Sequence, residues 1–395
     1  MRHLLLLLFL ALGLSACGKW IVGPNPANTP LNNYESLYET VKAHYTFFGE
    51  KRIDWDSLDR VYRPLIHPKL SDDSLYLILS RMLYVLGDGH VNLYTNTDRS
   101  RNADWYLDYD ANFNRGFVHR YYWGKDYQQT GALVNTWLPD SIGYMYYGSF
   151  SSAISKGNLN YVLNRFGDAR GLIIDVRDNG GGSLSNVYRL LERFVREKHT
   201  FLGTYTLKDG PGPDDLTELD SIFVDPLVDF FSPEEEDDKK SRRRKKKEED
   251  EEETPAPEPS ETDSLPRPSG VADTVAMYFH KPVVVLTNRH SYSATNFFAG
   301  FMSTLPNVTL IGDRTGGGGG LPVSYELPNG WKYRFSATRS FLPDGTNMEL
   351  GIPADIEQGT GPRDELEGVD AIIERARAYL LEMTPPTEVP TVEEE

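Results

Sequence analysis

Apolar residues recur at helical spacing through the N-terminal part of the chain. Leu37, Val41 and Tyr45 are spaced four residues apart, which places them on one face of a helix. A second helical pattern follows Ser71, whose side chain is a suitable N-cap, and its apolar face consists of Leu75, Ile78, Leu79, Met82, Leu83 and Leu86. The pattern predicts a small helical domain over residues 34–95.

Short runs of apolar and β-branched residues, which are typical of buried strands, dominate the rest of the chain. The predicted strands are residues 142–150, 171–176, 282–286 and 309–311. Helical patterns lie between or after them, at residues 159–166, 185–195 and 293–302. This alternation of strand, loop and helix predicts an α/β domain with a mostly parallel sheet over residues 96–383.

Charged residues interrupt that domain. Residues 232–270 hold an acidic run, a basic run and a second acidic run before proline and serine, a composition that cannot bury enough apolar surface to fold. We expect a disordered insertion there and a disordered tail at residues 384–395.

The chain has 41 Lys and Arg against 58 Asp and Glu, a net charge of −17, which argues against nucleic acid as a partner.

The N-terminus has the layout of a secretory signal peptide. Residues 1–16 begin with basic residues and continue as a leucine run that is too short to span a membrane. Cys17, the only cysteine of the chain, follows Leu-Ser-Ala, which resembles the lipobox of bacterial lipoproteins. We therefore expect lipidation of Cys17, a flexible tether over residues 17–33, and a place in the cell envelope. The outer membrane is favoured because no Asp follows the cysteine. The alternative is an ordinary signal peptide with a chance cysteine.

A serine stands where a predicted strand gives way to a predicted helix. Ser293 follows the apolar run at 282–286 and begins a helical pattern. Backbone N–H groups at a helix N-terminus suit both an attacking oxygen and a developing oxyanion. Helix capping is the alternative role, since Ser291, Ser293 and Thr295 are all suitable caps.

Glycine-rich segments and one histidine are further candidates. Residues 180–182 are glycines after a predicted strand, and their N–H groups could bind an oxyanion, although a structural turn explains them equally well. Residues 316–320 are also glycines, and we expect a mobile turn there. His90 lies in a glycine-containing turn after the second helical pattern, where a side chain can face a cleft. No H-x-x-x-H or comparable ligand cluster occurs, so we expect neither a metal nor a cofactor.

Taken in order, these segments resemble the C-terminal (tail-specific) processing peptidases, and more closely their tricorn-like branch. The matching segments are DGHV at 88–91, GLIIDVRDNGGG at 171–182, DGPGPDD at 209–215, TNRHSYSATNFFA at 287–299 and GIPADI at 351–356. The resemblance implies an α/β core of the crotonase/Clp-protease type with a small helical N-terminal cap. It also implies a serine nucleophile at Ser293 and an oxyanion hole formed by the N–H of Ala294 and that of Gly180 or Gly181.

The resemblance also bears on the base that activates the serine. Many members use a Ser–Lys dyad, but the position of that lysine falls within residues 316–320, which are all glycine. The tricorn-like branch uses a histidine instead, and His90 matches its position. A neutral imidazole can take the serine proton and return it to the leaving amine. Glu349 is the candidate for orienting His90, with Asp88 as its rival, and His290 is the rival base.

No PDZ domain is expected, because residues 95–140 are too few to form one. An exposed edge strand could instead bind an extended peptide by main-chain pairing. The resemblance therefore implies a lipid-anchored serine endopeptidase of the Ser/His/Glu type that acts on peptides or unfolded proteins. Two alternatives remain open: a non-catalytic binding protein on the same fold, and an esterase that hydrolyses small esters.

Overall fold

A computed structural model of the 395-residue chain describes residues 26–103, 107, 109, 112–212, 215–227, 278–361 and 363–384. The predicted signal peptide (1–16), Cys17, the charged insertion (232–270) and residues 385–395 of the predicted tail lie outside the described residues. No helix in the described part of the chain combines the length and the apolar character needed to cross a bilayer.

The secondary structure separates a helical N-terminal region from a region where strands and helices alternate. The α-helices are α1 (Pro30–His44), α2 (Trp55–Tyr62), α3 (Asp72–Tyr84), α4 (Arg115–Val118), α5 (Lys156–Arg165), α6 (Leu184–Leu191), α7 (Ala294–Ser303) and α8 (Ala371–Met383). The strands are β1 (Asn92–Tyr94), β2 (Gln128–Thr130), β3 (Leu133–Leu138), β4 (Ile142–Tyr147), β5 (Gly171–Asp175), β6 (Thr200–Leu207), β7 (Asp220–Val224), β8 (Val283–Thr287), β9 (Val308–Gly312), β10 (Pro322–Glu326), β11 (Lys332–Ser336), β12 (Thr338–Phe341) and β13 (Ile356–Glu357).

The first helix begins earlier than predicted. The side chain of Thr29 accepts a hydrogen bond from the N–H of Asn32, and Pro30 occupies the first turn, both of which are favourable at a helix N-terminus. Helix α1 therefore takes residues 30–33 from the segment that the sequence predicted to be a tether. Residues 17–25 of that segment lie outside the described residues.

The first of two compact units comprises Met1–Asp108, Thr206–Leu219 and Gly320–Arg339, and we call it the N-terminal unit. It contains α1, α2 and α3, which confirms the predicted helical region, together with an antiparallel sheet of order β1-β11-β10. Its core includes Tyr34, Leu37, Val41, Leu75, Leu79, Leu83, Leu93, Tyr333 and Phe335. The unit is larger than the domain predicted over 34–95, because two strands of its sheet come from a distant part of the chain.

The second compact unit, which we call the core unit, comprises Tyr109–Tyr205, Asp220–Gly319 and Ser340–Glu395. Its seven-stranded sheet has the order β13-β9-β8-β5-β4-β3-β2. The pairs from β13 to β4 are parallel, and the pairs from β4 to β2 are antiparallel. This arrangement confirms the predicted α/β fold with a mostly parallel sheet.

Helices cover both faces of this sheet. Every residue of β4, β5 and β8 is buried, as expected when a strand is covered on both sides. Along β8, Val283 and Val285 belong to an apolar cluster with residues of α5, α6 and α7, whereas Val284 and Leu286 belong to one with residues of α8. The described residues between β1 and β2 include α4 and a π-helical turn at His119–Trp123, and they do not form a PDZ fold.

The carboxyl ends of three parallel strands lie side by side. Asp175 at the end of β5 pairs with Leu286 of β8, and Thr287 at the end of β8 pairs with Gly312 of β9. The loops after these strands therefore meet at one edge of the sheet, which is where open parallel sheets usually bind their ligands. These loops are residues 176–183, 288–293 and 313–319.

Candidate active site

Ser293 lies in the β8–α7 loop, directly before the first residue of α7. Its backbone has φ 58° and ψ −121°, a conformation that costs a non-glycine residue about 1–3 kcal/mol. The side chain makes no capping hydrogen bond to the helix, so the structure does not support the helix-capping alternative. Ser291, another candidate cap, donates its hydroxyl to the carbonyl oxygen of Val176 at 2.8 Å.

Main-chain hydrogen bonds from two neighbouring loops hold this serine. The backbone N–H of Ser293 donates to the carbonyl oxygen of Gly317 at 3.0 Å, and that of Tyr292 donates to the carbonyl oxygen of Asn179 at 3.1 Å. Tyr292 and Gly317 also form an isolated parallel bridge. The unfavourable backbone conformation is thus imposed by tertiary contacts, which is common at functional sites.

Gly181 lies against the serine. A Cβ placed on Gly181 would stand 2.8 Å from the Cβ of Ser293 and 2.9 Å from the backbone nitrogen of Ala294. With φ at 101° as well, the position requires glycine. Gly180 is exposed, and a Cβ there would meet no atom within 4 Å. Of the two predicted oxyanion-hole glycines, Gly181 is therefore the one that contacts the serine.

Asn179 organises the glycine loop, although the sequence did not single out this residue. It is fully buried. Its Oδ1 accepts the N–H of Gly181 at 3.0 Å and that of Phe150 at 3.3 Å, and its Nδ2 donates to the carbonyl oxygen of Tyr147 at 2.7 Å. The N–H of Gly181 thus already has an acceptor. Ala294, by contrast, is the first residue of α7, where N–H groups have no acceptor within the helix.

A buried ion-pair network supports the strand that leads into this loop. Arg177 is fully buried and lies 2.7 Å from Asp175 and 3.0 Å from Asp370. Tyr144 donates its hydroxyl to Asp175 at 2.7 Å. Burial raises the pKa of Asp370, and the charge of Arg177 opposes this rise. Since Asp370 also caps α8, the network ties that helix to the end of β5.

Residues 316–319 form a packed loop, not the mobile turn that the sequence predicted. Gly317, Gly318 and Gly319 are all buried. A Cβ on Gly317 would overlap the carbonyl oxygen of Glu349. Gly317 therefore contacts Glu349 on one side and, through its carbonyl oxygen, the backbone of Ser293 on the other.

Glu349 lies in a 3-10 turn at Met348–Leu350, with 8% of the residue exposed. Asn296, on α7, donates its side-chain amide to the carbonyl oxygen of Met348 at 3.0 Å. The carboxylate is thus carried by a turn that is attached to the same helix that begins after Ser293. Only the long-range fold of the core unit brings these segments together.

His90 lies in the N-terminal unit, just before β1, and is 5% exposed. Its Nδ1 is 3.4 Å from the hydroxyl of Ser336 and 3.8 Å from the carboxylate of Asp88, which accepts the backbone N–H of His90 at 2.8 Å. Burial lowers the pKa of His90; Asp88 opposes this effect, while Arg334 and Lys51 add to it. The imidazole is therefore neutral near neutral pH, as a general base must be.

The structure brings Ser293, Ala294 and Gly181 together in the core unit, which also carries Glu349. His90 and its rival orienting residue Asp88 belong to the N-terminal unit. The pairing of His90 with Ser293, and its orientation by Glu349, stay predictions.

The rival base, His290, belongs to the core unit. Its Nδ1 lies 3.0 Å from the carboxylate of Asp178, and the side-chain amide of Asn288 donates to the same carboxylate oxygen at 2.8 Å. The sequence predicted His290 as a rival base but did not predict its contact with Asp178, because Asp178 lies in the loop after a different strand. No group of three or more His, Cys, Asp or Glu residues in the described ranges could hold a metal ion.

The fold and the serine loop define the class of protein: a mixed α/β core with a serine at a strand–helix turn and a glycine loop beside it. The model of Peptidase family S41 matches residues 141–358, and the model of the Tricorn protease C1 domain matches residues 26–84. The crystal structure of a predicted peptidase from Parabacteroides merdae is 37% identical, with 90% of this chain and 97% of that chain covered and a TM-score of 0.73. The chain belongs to peptidase family S41, which confirms the resemblance to the processing peptidases.

More distant solved structures share the fold alone. A lipoprotein from Streptococcus agalactiae is 14% identical, with 91% of this chain and 99% of that chain covered and a TM-score of 0.50. Mature CPAF is 12% identical, with 91% of this chain and 98% of that chain covered and a TM-score of 0.55. No curated protein matches the chain.

Proposed function

We propose that the chain is a serine endopeptidase that hydrolyses peptide bonds through an acyl-enzyme on Ser293. The observation that carries the proposal is the strained backbone of Ser293 directly before α7, in close contact with Gly181. A serine in this position lies beside the backbone N–H groups at the start of a helix, which is what nucleophilic attack and oxyanion stabilisation require.

The steps follow from these groups. Ser293 Oγ attacks the scissile carbonyl as the base takes its proton, and the oxygen of the tetrahedral intermediate accepts the N–H of Ala294 and that of Gly180 or Gly181, the Gly181 N–H being shared with Asn179 Oδ1. The base then protonates the leaving amine, and water hydrolyses the ester. We assign the base to His90, because burial keeps its imidazole neutral and able to accept a proton.

Glu349 would orient His90 in this scheme. Its support is the burial of Glu349 on a turn fixed to α7, since a buried carboxylate can hold an imidazole in one tautomer. Asp88 is less suited to that role, because its short contact is with the backbone N–H of His90 and not with the ring.

We further propose that the mature protein is anchored by lipid at Cys17 and acts on peptides or unfolded proteins at the cell envelope, on the outer membrane. The support is the signal-like leucine run and the position of the only cysteine. In the native host, Cys17→Ser should move the protein from the membrane fraction to the soluble fraction. Retention of the variant in the membrane would contradict the anchor.

The catalytic proposal is tested by Ser293→Ala, with Ser303→Ala as the matched control at the other end of α7. Ser293→Ala should abolish both peptide cleavage and labelling by a serine-directed phosphonate, while Ser303→Ala should retain both. Cleavage that survives in Ser293→Ala would overturn the proposal. Comparing ester and peptide substrates on the same proteins separates a peptidase from an esterase, and a wild type inert to both would favour a binding protein.

A further inference from the structure

The small sheet of the N-terminal unit has one polar face. In the β1–β11 pair, Asn92 lies opposite Arg334, and Leu93 lies opposite Tyr333. Leu93 and Tyr333 belong to the apolar core of the unit. Because side chains alternate along a strand, Asn92 and Arg334 point to the opposite face.

His90 shares this face. Ser336 is two residues from Arg334 on β11, and its hydroxyl is 3.4 Å from the imidazole. Two residues before Arg334 on β11, Lys332 lies on the same face, and Glu326 of β10 pairs with it. The arginine is thus one step of about 6–7 Å along the face from the histidine.

Two guanidinium groups converge on one neutral oxygen of this face. Arg334 Nε donates to Asn92 Oδ1 at 3.0 Å, and Arg99 Nη2 donates to the same oxygen at 3.1 Å. The hydroxyl of Tyr94 also donates to it at 3.2 Å, and the guanidinium carbons lie 4.9 Å (Arg99) and 6.0 Å (Arg334) from the Tyr94 ring centre. Two positive charges are therefore held close together around one amide oxygen.

Within the described residues, neither of these guanidinium groups has an ion-pair partner. Other arginines of the unit do, since Arg63 pairs with Glu35 at 2.8 Å and Arg339 pairs with Glu50 at 2.9 Å. The neighbouring carboxylate of Asp98 accepts the backbone N–H of the next residue. Like charges held together repel each other, and a bound anion would relieve this repulsion.

We propose that Arg99 and Arg334 bind a carboxylate of the peptide substrate. Guanidinium groups match carboxylates in shape and charge, and each has N–H donors beyond the one given to Asn92. An extended peptide advances about 3.3 Å per residue, so a carboxylate bound here belongs to a residue roughly two positions from the one beside His90. That the ligand is a substrate rests on the proposed peptidase function; the carboxylate site rests on the N-terminal unit alone.

The carboxylate could come from an Asp or Glu side chain or from the C-terminus of the peptide, and the experiment separates these sources. The probes are fluorescein-labelled peptides built from alanine, glycine and phenylalanine. One series carries Asp at each position in turn and a second series carries Asn there, and each peptide is made with a free and with an amidated C-terminus. Binding is measured by anisotropy on the full chain carrying Ser293→Ala. We expect one acid form to bind about 10-fold more tightly than its neutral counterpart, as charge-assisted hydrogen bonds allow.

Adding Arg99→Gln and Arg334→Gln should remove this preference, whereas adding Arg81→Gln, an exposed arginine on α3, should leave it unchanged. Replacing both arginines by lysine retains the charge and should preserve part of the preference, which also covers the case in which the glutamine variant does not fold. The proposal would be overturned if acid and neutral peptides bound equally at every position and at both forms of the C-terminus. It would also be overturned if Arg81→Gln lost the preference for the acid peptide as fully as the double arginine variant does.

Cleavage of the same peptides by the protein with an intact Ser293 is scored separately. Carboxylate binding without cleavage would remove the proposed peptidase function and leave the arginine site standing. Cleavage without any carboxylate preference would remove the arginine site and leave the peptidase function standing.

Discussion

The two units hold their candidate catalytic groups by different physical means. In the core unit, Ser293 is positioned by main-chain contacts with the loops after β5 and β9, and glycine stands where a side chain would not fit. In the N-terminal unit, His90 lies on the polar face of a small sheet, where burial lowers its pKa and the charges of neighbouring side chains adjust it further. The serine site should therefore be most sensitive to steric changes and the histidine site to changes of charge.

The largest effect is expected from Gly181→Ala. The added methyl group would press on the Cβ of Ser293 and on the nitrogen of Ala294, and the backbone conformation disfavours any residue but glycine. We expect kcat/KM for peptide cleavage to fall about 100- to 1000-fold, as when an oxyanion-hole donor is displaced.

Gly180→Ala is the matched control, since its methyl group would meet no atom within 4 Å. It should change kcat/KM only slightly. Equal losses in the two variants would mean that the close contact between Gly181 and Ser293 does not govern the reaction.

A smaller effect is expected from Asn179→Ala, which removes the acceptor of the Gly181 N–H and the donor to the carbonyl oxygen of Tyr147. If Asn179 positions the glycine loop, kcat should fall about 10- to 100-fold with little change in KM, because the oxyanion forms only after binding. The free energy of unfolding should also fall by about 1–3 kcal/mol, because three buried groups lose a partner: the N–H of Gly181, the N–H of Phe150 and the carbonyl oxygen of Tyr147.

Asn186→Ala separates positioning from stability. Asn186 is also buried and donates to the carbonyl oxygen of Phe150 at 2.8 Å, but within the described residues its side chain makes no hydrogen bond to the glycine loop. We expect a similar loss of stability, measured by chemical denaturation, with kcat retained. A parallel loss of kcat in both variants would assign Asn179 a purely structural role.

The sequence predicted those features of the core unit that depend on local patterns. The buried strands and the serine at a strand–helix turn follow from an apolar run and the helical spacing after it. The packing of Gly317 between Ser293 and Glu349 could not be predicted, because glycines in a mobile turn and glycines in a close contact look identical in sequence. The same holds for Asn179, whose side chain bonds the end of β4 and the loop after it as well as its own glycine loop.

In the N-terminal unit, the helices were predictable from their spacing, but the sheet was not. Strand β1 is only three residues long, too short to show alternation clearly, and its partner β11 lies far along the chain. The polar face that carries His90 and Arg334 exists only after the two strands pair. For that reason, motif resemblance located His90, whereas no pattern pointed to the arginines beside it.

The smallest expected effect is a shift in the pH dependence of kcat/KM when a charge near His90 is removed. The pKa of His90 lies below its usual 6.5. If neutral His90 is the base, kcat/KM falls as the pH drops through that lowered pKa, so the acid limb has its midpoint below pH 6.5. Asp88→Asn removes a charge that favours the protonated ring and should move the limb to lower pH. Lys51→Gln removes an opposing charge and should move it to higher pH, each by less than about one unit.

Opposite shifts in the two variants, measured as pH profiles of kcat/KM, would identify His90 as the titrating base. Coincident limbs in the two variants and the wild type would exclude it, because charges that act on the ring must move its titration. His290 would then become the candidate base, and Asp178→Asn, which removes the carboxylate 3.0 Å from its ring, should lower kcat/KM instead.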